Sequence, residues 1–343
     1  MERRKFLKHS LLSAGALSLG NQILASDVAP QAIAPVNDPK PVPQRGDAAS
    51  DYLTTYIFDS PESTVWVRWK NNVLTCYRAE MKLKYPYFYP LRAMRSGLSL
   101  TAETSQPWPH HRSVFFGLDK VNGGNYWHGH PVNRDRIVSQ KLAIGECTPR
   151  SSEILNECLW IHDEKDAIMS DKRRFVINII DDQTYTLDSY IEMTALTEVV
   201  CDKTNHGLFG VRTENDISVV SGGVMINSEG QQTEANTHNQ SARWMAAYGK
   251  REGRDDGLIE GLAIMTPPFR REPFNKNLWF TRDYGNFSPM PFDAFAVGEK
   301  FVMPQGDVLK LAYRIVAFTG TPTTTFLNNQ WDEFAALSQG KIS

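Results

Sequence analysis

The chain has 343 residues, of which 41% are hydrophobic and 22% charged, and these globular proportions exclude wholesale disorder. A net charge of −2 and a pI ≈ 6.5 exclude a broadly basic nucleic-acid footprint. Mean hydropathy is −0.39, and past residue 25 no apolar run nears the roughly 20 residues that span a bilayer, so a polytopic membrane protein is excluded.

Residues 1–26 read as a targeting segment. Arg3-Arg4-Lys5-Phe6-Leu7-Lys8 is a basic start with paired arginines, and a mildly apolar stretch follows from Leu11 to Leu19. Ile23-Leu24-Ala25-Ser26 offers small residues for cleavage. The pattern resembles a twin-arginine export signal and predicts a periplasmic protein. Residues 27–50 carry Pro30, Pro35, Pro39, Pro41 and Pro43 and read as an extended linker. Residues 51–343 are expected to form one domain.

That domain reads as all-β. Val65–Trp69 and Val73–Tyr77 flank Asn71-Asn72, a two-residue hairpin signal. Arg174–Ile180, the turn Asp181-Asp182 and a strand from Thr184 form a second hairpin. Between Thr184 and Ala195 the alternation is clear: Tyr185, Leu187, Ile191 and Met193 share one face, Thr184, Asp188, Glu192 and Thr194 the other. Val308–Phe318 is a β-branched run. Helices are few and short, the best being Asn329–Gln339 with Trp331, Phe334, Ala335 and Leu337 near helical spacing. There is no βαβ alternation, GxGxxG or P-loop. Regular short strands with turn signals predict a large antiparallel β-sandwich.

Four clusters could carry chemistry. The densest spans 107–130 and holds four of the 8 histidines: His110, His111, His128 and His130, with Arg112, Asn122 and Trp127 among them. Histidine is poised for proton transfer near neutral pH and also binds metals. This loop reads as a sugar-binding or acid/base site, as a metal site built from His110, His128 and His130, or as a polar loop held by backbone hydrogen bonds. Adjacent His110 and His111 in extended chain would face opposite ways. A second cluster, Thr204 to Arg212, sets His206 just ahead of a strand carrying Arg212. There the alternatives are an acid with a substrate-holding arginine, or a turn histidine beside a structural ion pair. A third, 222–248, offers Asn227, Glu234, His238 and Trp244, either as sugar readers and a stacking plate or as a turned hairpin with a core tryptophan. The fourth is Arg282-Asp283-Tyr284-Gly285, a substrate loop or a simple ion pair.

GxSxG and HExxH are absent. Cys76, Cys147, Cys158 and Cys201 include no CxxC, which argues against a cysteine zinc site; their even number in an oxidising compartment leaves disulfides open, with three connectivities.

Several motifs in order carry a family resemblance: Pro86-Tyr87-Phe88-Tyr89-Pro90-Leu91; Pro109 to Gly117; Val121-Asn122-Gly123; His206 to Arg212; Gly222 to Gly230; Trp244; Arg282 to Gly285; and Pro291-Phe292. Together they resemble the bacterial "methane oxygenase PmoA-like" family, a domain of unknown function. The methane label conflicts with a chain lacking spanning segments beyond its leader. The resemblance implies an exported sandwich in the style of the galactose mutarotase-like supersandwich, with relatives placed beside sugar-oxidising and glycan-degrading proteins.

The expected function is therefore carbohydrate-directed, in one of two classes. In the first, an enzyme cleaves or rearranges a glycoside, as a hydrolase or a 3-keto-glycoside lyase. His110, His111, His206 and Glu234 then move protons. Arg112, Asn122, Trp127, Arg212, Asn227, His238, Trp244, Arg282, Asp283 and Tyr284 hold the sugar. A divalent metal at His128 and His130 is the one cofactor option. In the second, the protein binds a glycan without chemistry. The histidine density favours the enzyme, because a binding module needs aromatics and hydroxyl readers rather than imidazoles.

Overall fold

The computed structural model describes residues 52–58, 63–128 and 134–343. The targeting segment, the linker and His130 lie outside the described residues. Among the described residues the fold consists of two antiparallel sheets with two α-helices. The main path of the eleven-stranded first sheet runs Leu53–Phe58, Thr64–Trp69, Asn72–Arg78, Tyr87–Leu91, Val114–Val121, Gly207–Arg212, Asn286–Pro289, Trp279–Arg282. Gly124–Asn125 and Val199–Asp202 also pair with Val114–Val121, and Lys300–Met303 pairs with Val199–Asp202. The eight-stranded second sheet runs Val224–Asn227, Trp244–Lys250, Ile259–Met265, Val308–Thr319, Thr184–Ala195, Asp166–Ile179, Ser151–His162, Arg136–Thr148.

The alternating strand forms over Thr184–Ala195 as its pattern dictates, and Tyr185, Leu187, Ile191 and Met193 are all buried in the core shared by both sheets. Aromatic rings knit that core. Phe175 of the second sheet meets Tyr77 and Phe88 of the first at 5.0 and 4.8 Å, and Phe209 stacks on Tyr313 at 4.7 Å. Offset and edge contacts of this kind add roughly 0.5–1.5 kcal/mol each beyond area burial. The polar face of the same strand is not all exposed. Asp188 is buried there, gripped by Arg314 at 2.6 and 2.8 Å. The helix Thr324–Ser338 lies over that face, and Leu327 and Phe334 join a second core with Trp244, Met265 and Val316.

Two expectations need correction. The first hairpin turns on Lys70-Asn71, both at positive φ, because Trp69 pairs with Asn72. The C-terminal helix starts at Thr324, five residues earlier than its apolar pattern, because Thr323 caps it by accepting from the Phe326 amide. All four cysteines are free, with Cys76, Cys158 and Cys201 buried on separate strands. No helix among the described residues is long and apolar enough to cross a membrane.

Candidate active site: a histidine face on the first sheet

The outer face of the first sheet, turned away from the second, carries the imidazole cluster. Along Val114–Val121, Phe116 packs against Trp160 of the second sheet, so Phe115, Gly117 and Asp119 point outward. The strand then turns on Asn122-Gly123, both at positive φ, and doubles back through Gly124–Asn125. The Asn125 side chain accepts from the amides of Trp127 (3.0 Å) and His128 (2.8 Å), which fixes both residues. Trp127 consequently lies across Gly117, where a Cβ would stand 2.9 Å from the Tyr126 carbonyl. On the neighbouring strand Gly207 has φ +129, and a Cβ there would meet the Gly117 carbonyl at 2.3 Å. This close crossing brings His206 to the rim.

Asp119 and His206 form the centre. His206 Nδ1 lies 2.9 Å from Asp119 Oδ2, and Thr204 Oγ1 donates to the other carboxylate oxygen. Thr204 Oγ1 also accepts from the His206 amide at 3.0 Å. Asp119 is 6% exposed, whereas the His206 side chain is 37% exposed. Rings close in around them. His128 lies 4.4 Å from His206 and stacks on His110 at 4.2 Å; Trp127 stacks on His206 at 5.4 Å and on His111 at 5.1 Å. Burial, with help from His128 and His206, pushes His110 down to about 4. Burial, with His110 and Arg212 next, pushes His111 down to about 2. Both imidazoles are therefore neutral at pH 7. Nδ1 of His111 and Nε1 of Trp127 are buried and have no protein hydrogen-bond partner.

Tyr284 extends the face. It tops the turn between Trp279–Arg282 and Asn286–Pro289, stacks toward His111 at 6.0 Å and lies under Arg212 at 4.6 Å. Gly285 makes that turn possible: its φ is +88, and a Cβ would fall 2.0 Å from Thr213 Oγ1. Beyond Tyr284, Arg282 pairs with Glu234 at 3.2 Å and donates to His238 Nδ1 at 3.3 Å, while His238 Nε2 meets Asp293 at 3.2 Å. Burial first and then Arg282 push His238 below its ordinary value. A polar cleft of about 460 Å³ passes between Thr204-Asn205 and Asp293–Glu299. A larger one, about 630 Å³, lies on the second sheet among Lys172, Arg174, Tyr190, Lys310 and Lys341. It holds no imidazole, and Arg174 and Lys310 are already paired with Glu153 and Glu192. The smaller cleft is the one beside the imidazole cluster.

The structure thus gathers His110, His111, Trp127, His128, His206, Arg212 and Tyr284, with Arg282, Glu234 and His238 adjoining. The carboxylate beside His206 is Asp119, not Glu234, whose oxygens take Arg282 and the Asp283 amide. Asp283 is spent on the Glu234 amide at 2.7 Å. Trp244 is 1% exposed under the C-terminal helix, with its indole donating to Asn328, so it offers no plate to a sugar. Asn227 is buried and organises its own turn by accepting from the amides of Glu229 and Gln231. Asn122 spans to Glu198 and Val200 as a turn residue. Arg112 turns to Tyr87, lying 5.4 Å over its ring. The sequence signal that could have found Asp119 is alternation, which sets it on the face of Gly117.

No curated protein matches the chain. Solved structures similar to it include galactose 1-epimerase from Lactobacillus acidophilus NCFM, with 9% identity and a TM-score of 0.38, over 78% of this chain and 98% of that one. A GalM/aldose epimerase homologue from C. elegans aligns with 8% identity and a TM-score of 0.31, over 79% and 100% of the two chains. At these scores neither bears on activity or substrate. Residues 64–332 match DUF6807, a family whose description names no methane chemistry, and the chain belongs to this family of unknown function.

Proposed function

We propose that the protein is an exported enzyme that acts on a carbohydrate by proton transfer, and that its substrate is a keto-glycoside. The observation that carries this is the Asp119–His206 pair set among three further imidazoles on an open, ring-lined face. Hydrolysis of a plain glycoside ordinarily uses two carboxyl groups facing each other across the bond. Here the carboxylate that meets His206 is Asp119, and Thr204 and His206 already occupy its two oxygens. A neutral imidazole beside a held charge suits removal of a proton from carbon, which a neighbouring ketone acidifies.

In this reading His110 takes the proton from the carbon next to the ketone. The electron pair moves onto the carbonyl oxygen as an enolate, whose charge the Asp119-oriented His206 stabilises. Collapse of the enolate breaks the glycosidic C–O bond, and the departing alcohol carries the proton away. The products are an unsaturated keto sugar and an alcohol. The unpartnered nitrogens of His111 and Trp127 suit sugar hydroxyls, and Tyr284 with Arg212 borders the ring. The Arg3-Arg4 leader supports work in the periplasm. His110→Ala is expected to lower turnover of a keto-glycoside by at least about 10²-fold, with circular dichroism unchanged. Full activity in that variant removes His110 from the chemistry.

A further inference from the structure

We infer that Asp119, His128 and His206 hold a divalent first-row transition-metal ion. One carboxylate oxygen and two imidazole nitrogens lie within 4.8 Å of one another. Two histidines and a carboxylate on one side of an ion, with the other side open, is a donor set that suits such cations and leaves room for substrate. The three come from separate segments: an outward position of Val114–Val121, the returning hairpin, and the loop before Gly207–Arg212. Spacing supports the reading. Ligand bonds of about 2.0–2.2 Å at right-angle to tetrahedral geometry put neighbouring donor atoms roughly 2.9–3.5 Å apart. Asp119 Oδ2 and His206 Nδ1 already stand at 2.9 Å.

The support around the donors suits a metal centre. Thr204 donates to Asp119 Oδ1, which leaves Oδ2 as the ligand atom, and its oxygen also anchors the His206 amide. His110 and Trp127 stack on the two ligand rings at 23° and 22° and fix their planes. The nearby ammonium groups are drawn away: Lys120 donates to the Lys203 carbonyl and Lys203 to the Phe295 carbonyl. Entry is open on the His206 side, next to the 460 Å³ cleft. What the ion does rests on the reading above: held by Asp119 and His206, it takes over from His206 the polarisation of the sugar carbonyl and the enolate charge, with His110 left as the base. Its binding is read without substrate.

The test is a Co²⁺ titration of the chelator-stripped full chain, followed by visible absorption and calorimetry, with Zn²⁺ as competitor. One Co²⁺ per chain is expected, with ligand-field bands that Zn²⁺ abolishes. Asp119→Asn and His206→Gln should weaken binding by about 100-fold or more, and Thr204→Val by about 10–100-fold. His162→Ala, which removes a histidine paired elsewhere with Asp135, should bind as the parent does. Absence of binding, or binding unchanged in Asp119→Asn and His206→Gln, overturns the site. If those two fail to fold, Thr204→Val decides: unchanged affinity counts against the site and weakened affinity supports it. One Co²⁺ per chain with no turnover of any keto-glycoside would keep the ion and sink the substrate. Metal-free turnover would keep the substrate and remove the ion from the chemistry.

Discussion

Thr204 shows how much one hydroxyl organises here, since it holds Asp119 by its proton and His206 by its lone pair. His111 shows the cost of such a face. It is buried among His110, Trp127, Tyr284 and Arg212, and its pKa is pushed down to about 2. An unfolded histidine titrates near 6.5. Below that pH the unfolded chain binds a proton that the folded chain refuses. Stability from this residue is therefore lost as pH falls from about 6.5 toward about 2, by up to about 1.4 kcal/mol per pH unit. His110 adds to the loss down to about 4. His111→Gln should flatten the acid slope measured by urea unfolding between pH 6.5 and 4.5. A slope equal to the parent's would contradict the buried neutral imidazole. Gly285→Ala should damage substrate binding through Tyr284, because its Cβ meets Thr213. A raised KM with much of kcat kept is the expected result.

At the scale of elements, the C-terminal helix depends on its cap and on what it covers. Thr323→Ala should cost about 1 kcal/mol in unfolding free energy. Arg314→Met should cost more, about 3–5 kcal/mol, because Asp188 would stay buried without its partner. Near-equal melting shifts for the two variants would count against the buried pair. These elements also mark what the sequence discloses. Thr184–Ala195 is legible because its alternation has period 2 and one uniform apolar face. The burial of Asp188 is not legible, since its partner is 126 residues away. Trp244 misleads for the same reason, because the helix that covers it is set by tertiary packing and not by local pattern, whereas Asn227 is taken up by the amides of its own turn. In the site, the histidines stand out by density. Asp119 does not, being one of 39 acidic residues, and only its placement opposite the Thr204–His206 loop gives it meaning.

At the scale of the molecule, two sheets share one aromatic core, and the imidazole cluster sits on the far side of the larger sheet. Four unpaired thiols mean that the fold does not rest on disulfides. Adding reductant should leave the melting temperature unchanged, and a drop of several degrees would reveal a bridge. Above Gly117 and Gly207, short loops hold five rings, His110, His111, Trp127, His128 and His206, and the Asp119 carboxylate together. The central claim is that this face removes a proton from a sugar carbon beside a ketone. Proton NMR of a 3-keto-glycoside in deuterium oxide with the purified protein tests it most directly. The account predicts loss of the signal of that carbon-bound proton and growth of an unsaturated keto sugar with free alcohol, both abolished in His110→Ala. Cleavage of ordinary glycosides with the keto-glycoside untouched would contradict it.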